Sequence, residues 1–181
     1  MVLSLSNHLC GVHLNLNHSR RASSLHGQDI LRFHYDFVPV NDPYSFDSSV
    51  TEFPISFRKV FHPYNPLAGF IIANGSLKVF PFLVERNIAA LEIGFEDENF
   101  VIISVYFLPS KHIKEDLNEL KKLLLQLCDR NILIMGDFNA KSRVWGPRDS
   151  DHRDDLVLEM ADQFDLLIVN KNYSNLSFNG P

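Results

Sequence analysis

The hydrophobic period changes twice between residues 70 and 136, and few folds accommodate that order of elements. Residues 70–73, 77–80, 88–93 and 100–106 are apolar or alternating runs divided by Asn74-Gly75 and the acidic 96–98, which predicts antiparallel strands and turns. Ile113, Leu117, Leu120, Leu124 and Leu127 then recur at steps of four, three, four and three. Those steps lay one apolar stripe along a helix and leave Lys114, Glu115, Asn118, Lys121 and Lys122 to water. Residues 132–135 follow as a wholly apolar run ended by Gly136, the pattern of a central strand buried on both faces. Such a mixture is expected to form a layered α/β or α+β sheet protein.

The flanks extend this reading. Residues 9–16 and 37–40 read as short strands, and 19–33 as a helix between them. Residues 41–65, with Pro43, Pro54 and Pro63 among Ser, Asp and Asn, read as a long surface excursion. Leu156, Met160, Ala161 and Phe164 mark a second amphipathic helix, and 166–169 another short strand. The 181 residues suit one domain, 1–181, and 45% hydrophobic with 22% charged residues argues against disorder.

A net charge of -5 does not advertise a nucleic-acid or anionic-membrane partner, so any such partner must meet a local patch. Lys141, Arg143, Arg148 and Arg153 around Trp145 form one, a basic stretch suited to a phosphate backbone. The two cysteines, Cys10 and Cys128, cannot build a disulfide framework. Ser4, Ser6, Asn7, His8 and His13 interrupt the apolar residues of the first 14, so no signal peptide is read, and no run reaches transmembrane length. The expectation is an intracellular protein, cytoplasmic or nuclear, with no membrane partner. His8, Cys10, His13 and His18 are zinc-type ligands, but strand alternation puts His13 opposite His8 and Cys10, so the group reads as a chance cluster.

Gly136-Asp137-Phe138-Asn139-Ala140 directly follows the buried run. Strand alternation would project the Asp137 carboxylate and the Asn139 amide from one side of the sheet edge. Asp can ligate Mg²⁺ or orient a water, and Asn can donate to a phosphoryl oxygen without adding negative charge. The same residues also make an Asx turn, and spacing alone does not separate the two readings.

The wider string does. Residues 131–140, followed by Trp145-Gly146 and by Asp151 with Arg153, closely resemble the endonuclease/exonuclease/phosphatase superfamily, and in particular the apurinic-type endonuclease domain of non-LTR retrotransposons. Residues 13–20 resemble the family's first motif, with Asn15 at the active-site Asn. Residues 103–110 resemble the strand and loop of the active-site Tyr, matched by Tyr106. The family's second motif ends in Gln-Glu-Pro, its Glu holding the metal; here Asn41-Asp42-Pro43 puts the shorter Asp42 there. Family members continue past 177–180 into strands bearing a further Asp and a terminal Ser-Asp-His, which this sequence does not contain. Ser150-Asp151-His152 imitates that motif, but its position predicts a surface-loop histidine without a catalytic part.

The resemblance implies an α/β fold, a layered β-sandwich flanked by helices and lacking its final strands at the C-terminus. It also implies Mg²⁺-assisted phosphodiester hydrolysis that nicks DNA, with Mn²⁺ as the alternative ion and a reverse transcriptase in the parent polyprotein. Asp42 would hold the metal and Asp137 would orient or deprotonate water, while Asn139, Asn15 and Tyr106 would bond the phosphoryl oxygens. Lys141, Arg143, Trp145 and Arg148 would contact DNA. The shortened Asp42 and the absent His lead to the expectation of a weak or inactive nuclease. The alternatives are a catalytically dead remnant that at most binds nucleic acid, and a phosphomonoesterase of the same superfamily.

Overall fold

The computed structural model describes residues 2–5, 9–95, 98–145 and 150–169. Its elements in chain order are β1 (Val2–Leu5), β2 (Leu9–Val12), β3 (Leu14–Asn15), α1 (Arg20–Arg32), β4 (Phe37–Asn41), β5 (Ser45–Phe46), β6 (Ser49–Val50), β7 (Arg58–Phe61) and β8 (Ala68–Ile72). There follow β9 (Lys78–Val84), β10 (Ile88–Phe95), β11 (Glu98–Tyr106), α2 (Ile113–Gln126), β12 (Asn131–Asp137) and α3 (His152–Gln163). They fall into two compact units, Met1–Tyr106 with Leu127–Asp137, and Phe107–Gln126 with Phe138–Pro181.

The first unit is a β-sandwich. One sheet runs β1-β2-β4-β8-β7 with β3 also on β4, and the other runs β12-β11-β10-β9. Side-chain alternation builds two cores from the first sheet. Leu9, Phe37, Phe70 and Ile72 meet Ala89, Leu91, Ile93, Ile102 and Met135 of the second sheet. Val38, Val40 and Ile71 point the other way, onto Ile30 of α1 and onto Val50, Phe53 and Phe57. Burying each large apolar side chain favours folding by about 1.5–3 kcal/mol. Helix α1 starts where Ser19 caps it, its hydroxyl accepting from the Ala22 N–H at 3.2 Å.

Two expectations change here. The 41–65 stretch is no surface excursion: it holds the β5–β6 hairpin and β7, and it contributes Val50, Phe53 and Phe57 to the core. Pro and Asn mark its turns, yet the apolar residues between them still pack. Strand β12 is not central among the described residues; it lies at the sheet's edge, with Ile132, Leu133 and Ile134 only half-buried. A short apolar run does not by itself reveal how many neighbours its strand has. It also runs on past Gly136 to Asp137.

In the second unit α2 buries Ile113, Leu117, Leu120, Leu123 and Leu124, as its stripe predicts. Helix α3 buries Val157, Met160 and Ala161. Residues 166–169 form no strand, and Leu167 and Val169 are exposed. His152 is not in a loop but is the exposed first residue of α3, because Asp151 caps the helix by accepting from the Asp154 N–H at 3.0 Å.

Candidate active site

Asn15, Asp42, Tyr106 and Asp137 all stand at strand ends of the first unit. Asn15 pairs with Asn41 in the parallel β3–β4 register, and Asp42 is the next residue. Tyr106 pairs with Asp137 in the parallel β11–β12 register, so those two side chains share one face of their sheet. The sheets meet chemically where Asn15 Nδ2 donates to Asp137 Oδ2 at 2.9 Å, a bond between residues 122 positions apart. Asn15 Oδ1 accepts from the Asn17 N–H at 3.2 Å, which fixes the amide's orientation.

The backbone beside these groups is unusual. Asn17, His18 and Asp42 have φ of 46°, 51° and 45°, the left-handed region that non-glycine residues seldom adopt. Backbone bonds hold them, since the His18 N–H donates to the Asp42 carbonyl and the Asp42 N–H to the Leu67 carbonyl, each at 2.8 Å. Strain of this kind collects at functional sites. Gly136 is required by space: a Cβ there would fall on the Val105 carbonyl oxygen of the neighbouring strand.

Beneath the strand ends runs a polar chain that the motifs did not single out. His13 Nε2–H donates to Asn41 Oδ1 at 2.7 Å, and Asn41 Nδ2 donates to Ser104 Oγ at 3.3 Å. Asn41 and Ser104 are fully buried. Burial holds the His13 imidazole below its ordinary pKa, against opposing pulls from Asn41 and the Asp137 charge. His13 thus acts as a structural donor. The available signal was Ser104, a hydroxyl set between the apolar Ile103 and Val105 in the buried part of β11, since a polar group at such a position must find a partner.

Asp42 is half-buried, and that burial pushes its carboxyl above the usual carboxylate range, with His18 pulling the other way. A desolvated carboxylate at a strand end suits a cation. Among the described residues no three His, Cys, Asp or Glu side chains gather to hold a metal ion. The single Asp42 carboxylate is a ligand of the type that Mg²⁺ accepts while keeping several waters. Asp42 would hold such an ion, and the ion would supply positive charge to a phosphate oxygen.

The remaining candidates belong to the second unit. Strand β12 stops at Asp137, and Asn139 has a φ of 48°, so strand alternation does not extend to it. Its Nδ2 donates to the Phe107 carbonyl at 3.1 Å. Trp145 Nε1 donates to the Ala140 carbonyl at 3.0 Å, holding the turn that carries exposed Lys141 and Arg143. Arg148 lies outside the described residues. Arg153 ties this unit together, giving hydrogen bonds to the carbonyls of Lys111 at 2.7 Å, Phe138 at 2.8 Å and Phe107 at 3.3 Å.

Comparison with known proteins agrees with this architecture. The family model described as Endonuclease-reverse transcriptase matches residues 100–180, the stretch holding Tyr106, Asp137 and Asn139. No curated protein sequence matches the chain. The endonuclease domain of TRAS1, a telomere-specific non-LTR retrotransposon, superposes with a TM-score of 0.78 at 22% identity, over 89% of this chain and 75% of that one. D. rerio TDP2 complexed with a single-strand DNA product gives 0.52 at 10% identity, over 87% and 65%. An endonuclease/exonuclease/phosphatase family protein from Leptotrichia buccalis C-1013-b gives 0.50 at 14% identity, over 83% and 71%.

Proposed function

We propose that this chain, whose fold is that of the endonuclease/exonuclease/phosphatase superfamily, hydrolyses phosphodiester bonds of DNA with Mg²⁺ as the endonuclease part of a retrotransposon protein that also carries a reverse transcriptase. The observation that carries the reading is the Asn15–Asp137 hydrogen bond, which joins the two sheets at their strand ends beside Asp42 and Tyr106.

In this reading Asp137 orients a water and takes its proton as the water oxygen bonds to phosphorus. The bond from phosphorus to the leaving sugar oxygen breaks, and that oxygen takes a proton from solvent. Asn15 keeps the Asp137 carboxylate in one orientation, which matters because a misplaced base loses much of its effect. Its amide nitrogen carries a second hydrogen for a phosphoryl oxygen, and the Tyr106 hydroxyl and the Asn139 amide add donors as charge builds there. Asp42 would hold Mg²⁺, or Mn²⁺ in its place, and the ion would supply positive charge to a phosphoryl oxygen. Lys141, Arg143, Trp145 and Arg148 meet the DNA. The alternative of a phosphomonoesterase is disfavoured by the Trp145-Gly146 segment, which resembles the retrotransposon enzymes.

The test is nicking of supercoiled plasmid in Mg²⁺ and in EDTA, by the 181-residue chain and by its Asp137→Ala variant. The expected result is nicking by the parent in Mg²⁺, at least a hundredfold less by the variant, and none in EDTA. No nicking by the parent in Mg²⁺ would favour the remnant that only binds.

A further inference from the structure

The second unit contains a cleft of about 280 Å³ where the loop before α2 meets the start of α3. Lys111, His112 and Lys114 line one part of it, and His152 and Arg153 line another. No carboxylate is among its lining residues. In a chain of net charge -5 this is a local reversal of sign, and it includes none of the residues given a role in the reaction above.

Four of the five side chains, Lys111, His112, Lys114 and His152, are exposed and able to reach a ligand. The fifth is the anchor. The Arg153 guanidinium is held by three carbonyls, and its Nε is buried with no hydrogen-bond partner, a donor the protein leaves unused. Of the acids flanking Arg153, Asp154 is buried and Asp151 is occupied in capping α3, and neither lines the cleft. Both helices present first-turn residues to the cleft, where backbone N–H groups and the helix dipole favour an anion. Lysine, histidine and arginine donors without a carboxylate suit a phosphate, which accepts from several donors at once.

We propose that this cleft is a backbone-phosphate subsite for duplex DNA, engaging a phosphodiester outside the reacting group. The inference rests on the DNA reading above and extends it by placing a second contact. It also gives a use to His152: an imidazole that contacts substrate backbone and takes no part in the chemistry.

The experiment is duplex-oligonucleotide binding by the full chain in EDTA, followed by fluorescence anisotropy from 50 to 200 mM salt. Each phosphate contact contributes about 0.9 to the slope of log K against log salt, so Lys111→Ala with Lys114→Ala is expected to lower the slope by about 1.8. The wild-type advantage then shrinks roughly 12-fold over that fourfold rise in salt. Lys121→Ala with Lys122→Ala removes equal charge from α2 outside the cleft and is expected to leave the slope unchanged. Equal slopes for the two double variants overturn the proposal. A second arm needs no variant: duplex DNA is expected to shift the ring-proton resonances of His112 and His152 and to leave those of His26 and His62 in place. If inorganic phosphate shifts them and duplex does not, the ligand is free phosphate and the backbone subsite is wrong. Failure of the DNA reading looks different, as plasmid nicking that is absent with Mg²⁺ while the lysine pair still changes oligonucleotide binding.

Discussion

Asn41→Ala removes the middle of the buried polar chain, and its cost can be worked from the contacts. The Asn41 side chain is fully buried, accepts from His13 at 2.7 Å and donates to Ser104 at the longer 3.3 Å. Truncation strands the His13 N–H and removes the Ser104 partner, both away from water. An unsatisfied buried group costs about 1–3 kcal/mol, with the long Ser104 contact at the low end, so the loss should total about 2–4 kcal/mol. For a chain of this size that lowers Tm by about 4–16 °C. Urea unfolding followed by circular dichroism measures the change, with an unaltered slope showing that stability and not compactness has moved. A double-mutant cycle with His13→Ala should give a coupling of about 1 kcal/mol or more, and one with Ser104→Ala about half that. A loss below about 0.5 kcal/mol, the scale of an exposed substitution, would refute the idea that Asn41 links the two sheets beneath Asp42.

Other perturbations separate space, charge and chemistry. Gly136→Ala places a Cβ on the Val105 carbonyl oxygen and should cost about 3 kcal/mol or more, or prevent folding; a urea midpoint near wild type would contradict this. Burial lowers the His13 pKa below 6.5, so the unfolded chain takes that proton first, and the contribution to stability is complete above about pH 6.5 and lost as pH falls. Burial raises the Asp42 pKa above 3.8, so its contribution is complete below pH 3.8 and lost as pH rises through the folded value. Wild-type Tm should therefore fall between pH 7 and 5.5, and less so in His13→Gln; identical slopes would exclude His13 as the cause. Asn15→Ala, at an exposed position, should leave stability within about 0.5 kcal/mol and slow nicking about 10- to 100-fold, less than loss of the base itself. Asp42→Glu, which lengthens the carboxylate by one methylene, should shift the Mg²⁺ concentration needed for nicking, and an unchanged Mg²⁺ dependence in a plasmid assay would argue against Asp42 as the metal ligand.

Periodicity located most elements because the burial pattern is regular where the cores lie. The α2 stripe and the alternation of Phe37, Val38, Phe70 and Ile71 between two cores are readable from spacing. It failed where a neighbour decides the outcome. The apolar run of β12 did not disclose an edge position, and Leu167 and Val169 did not form a strand. Resemblance to family motifs pointed to Asn15, Asp42, Tyr106 and Asp137, and each stands at or just past a strand end. The motifs gave no notice of the Asn15–Asp137 bond, which spans 122 residues, or of the chain from His13 through Asn41 to Ser104. Nor did they show that Asn139 leaves the strand with a left-handed backbone.

The central claim is that Asp137 is the base of a phosphodiesterase site. Single-turnover cleavage of an end-labelled duplex in Mg²⁺, by the chain and its Asp137→Ala variant, tests it most directly, with duplex binding measured in parallel. A general base contributes about 10²- to 10⁴-fold, so the variant should bind normally and cleave at least a hundredfold more slowly. Cleavage within a few-fold of the parent, at equal binding, would contradict the account.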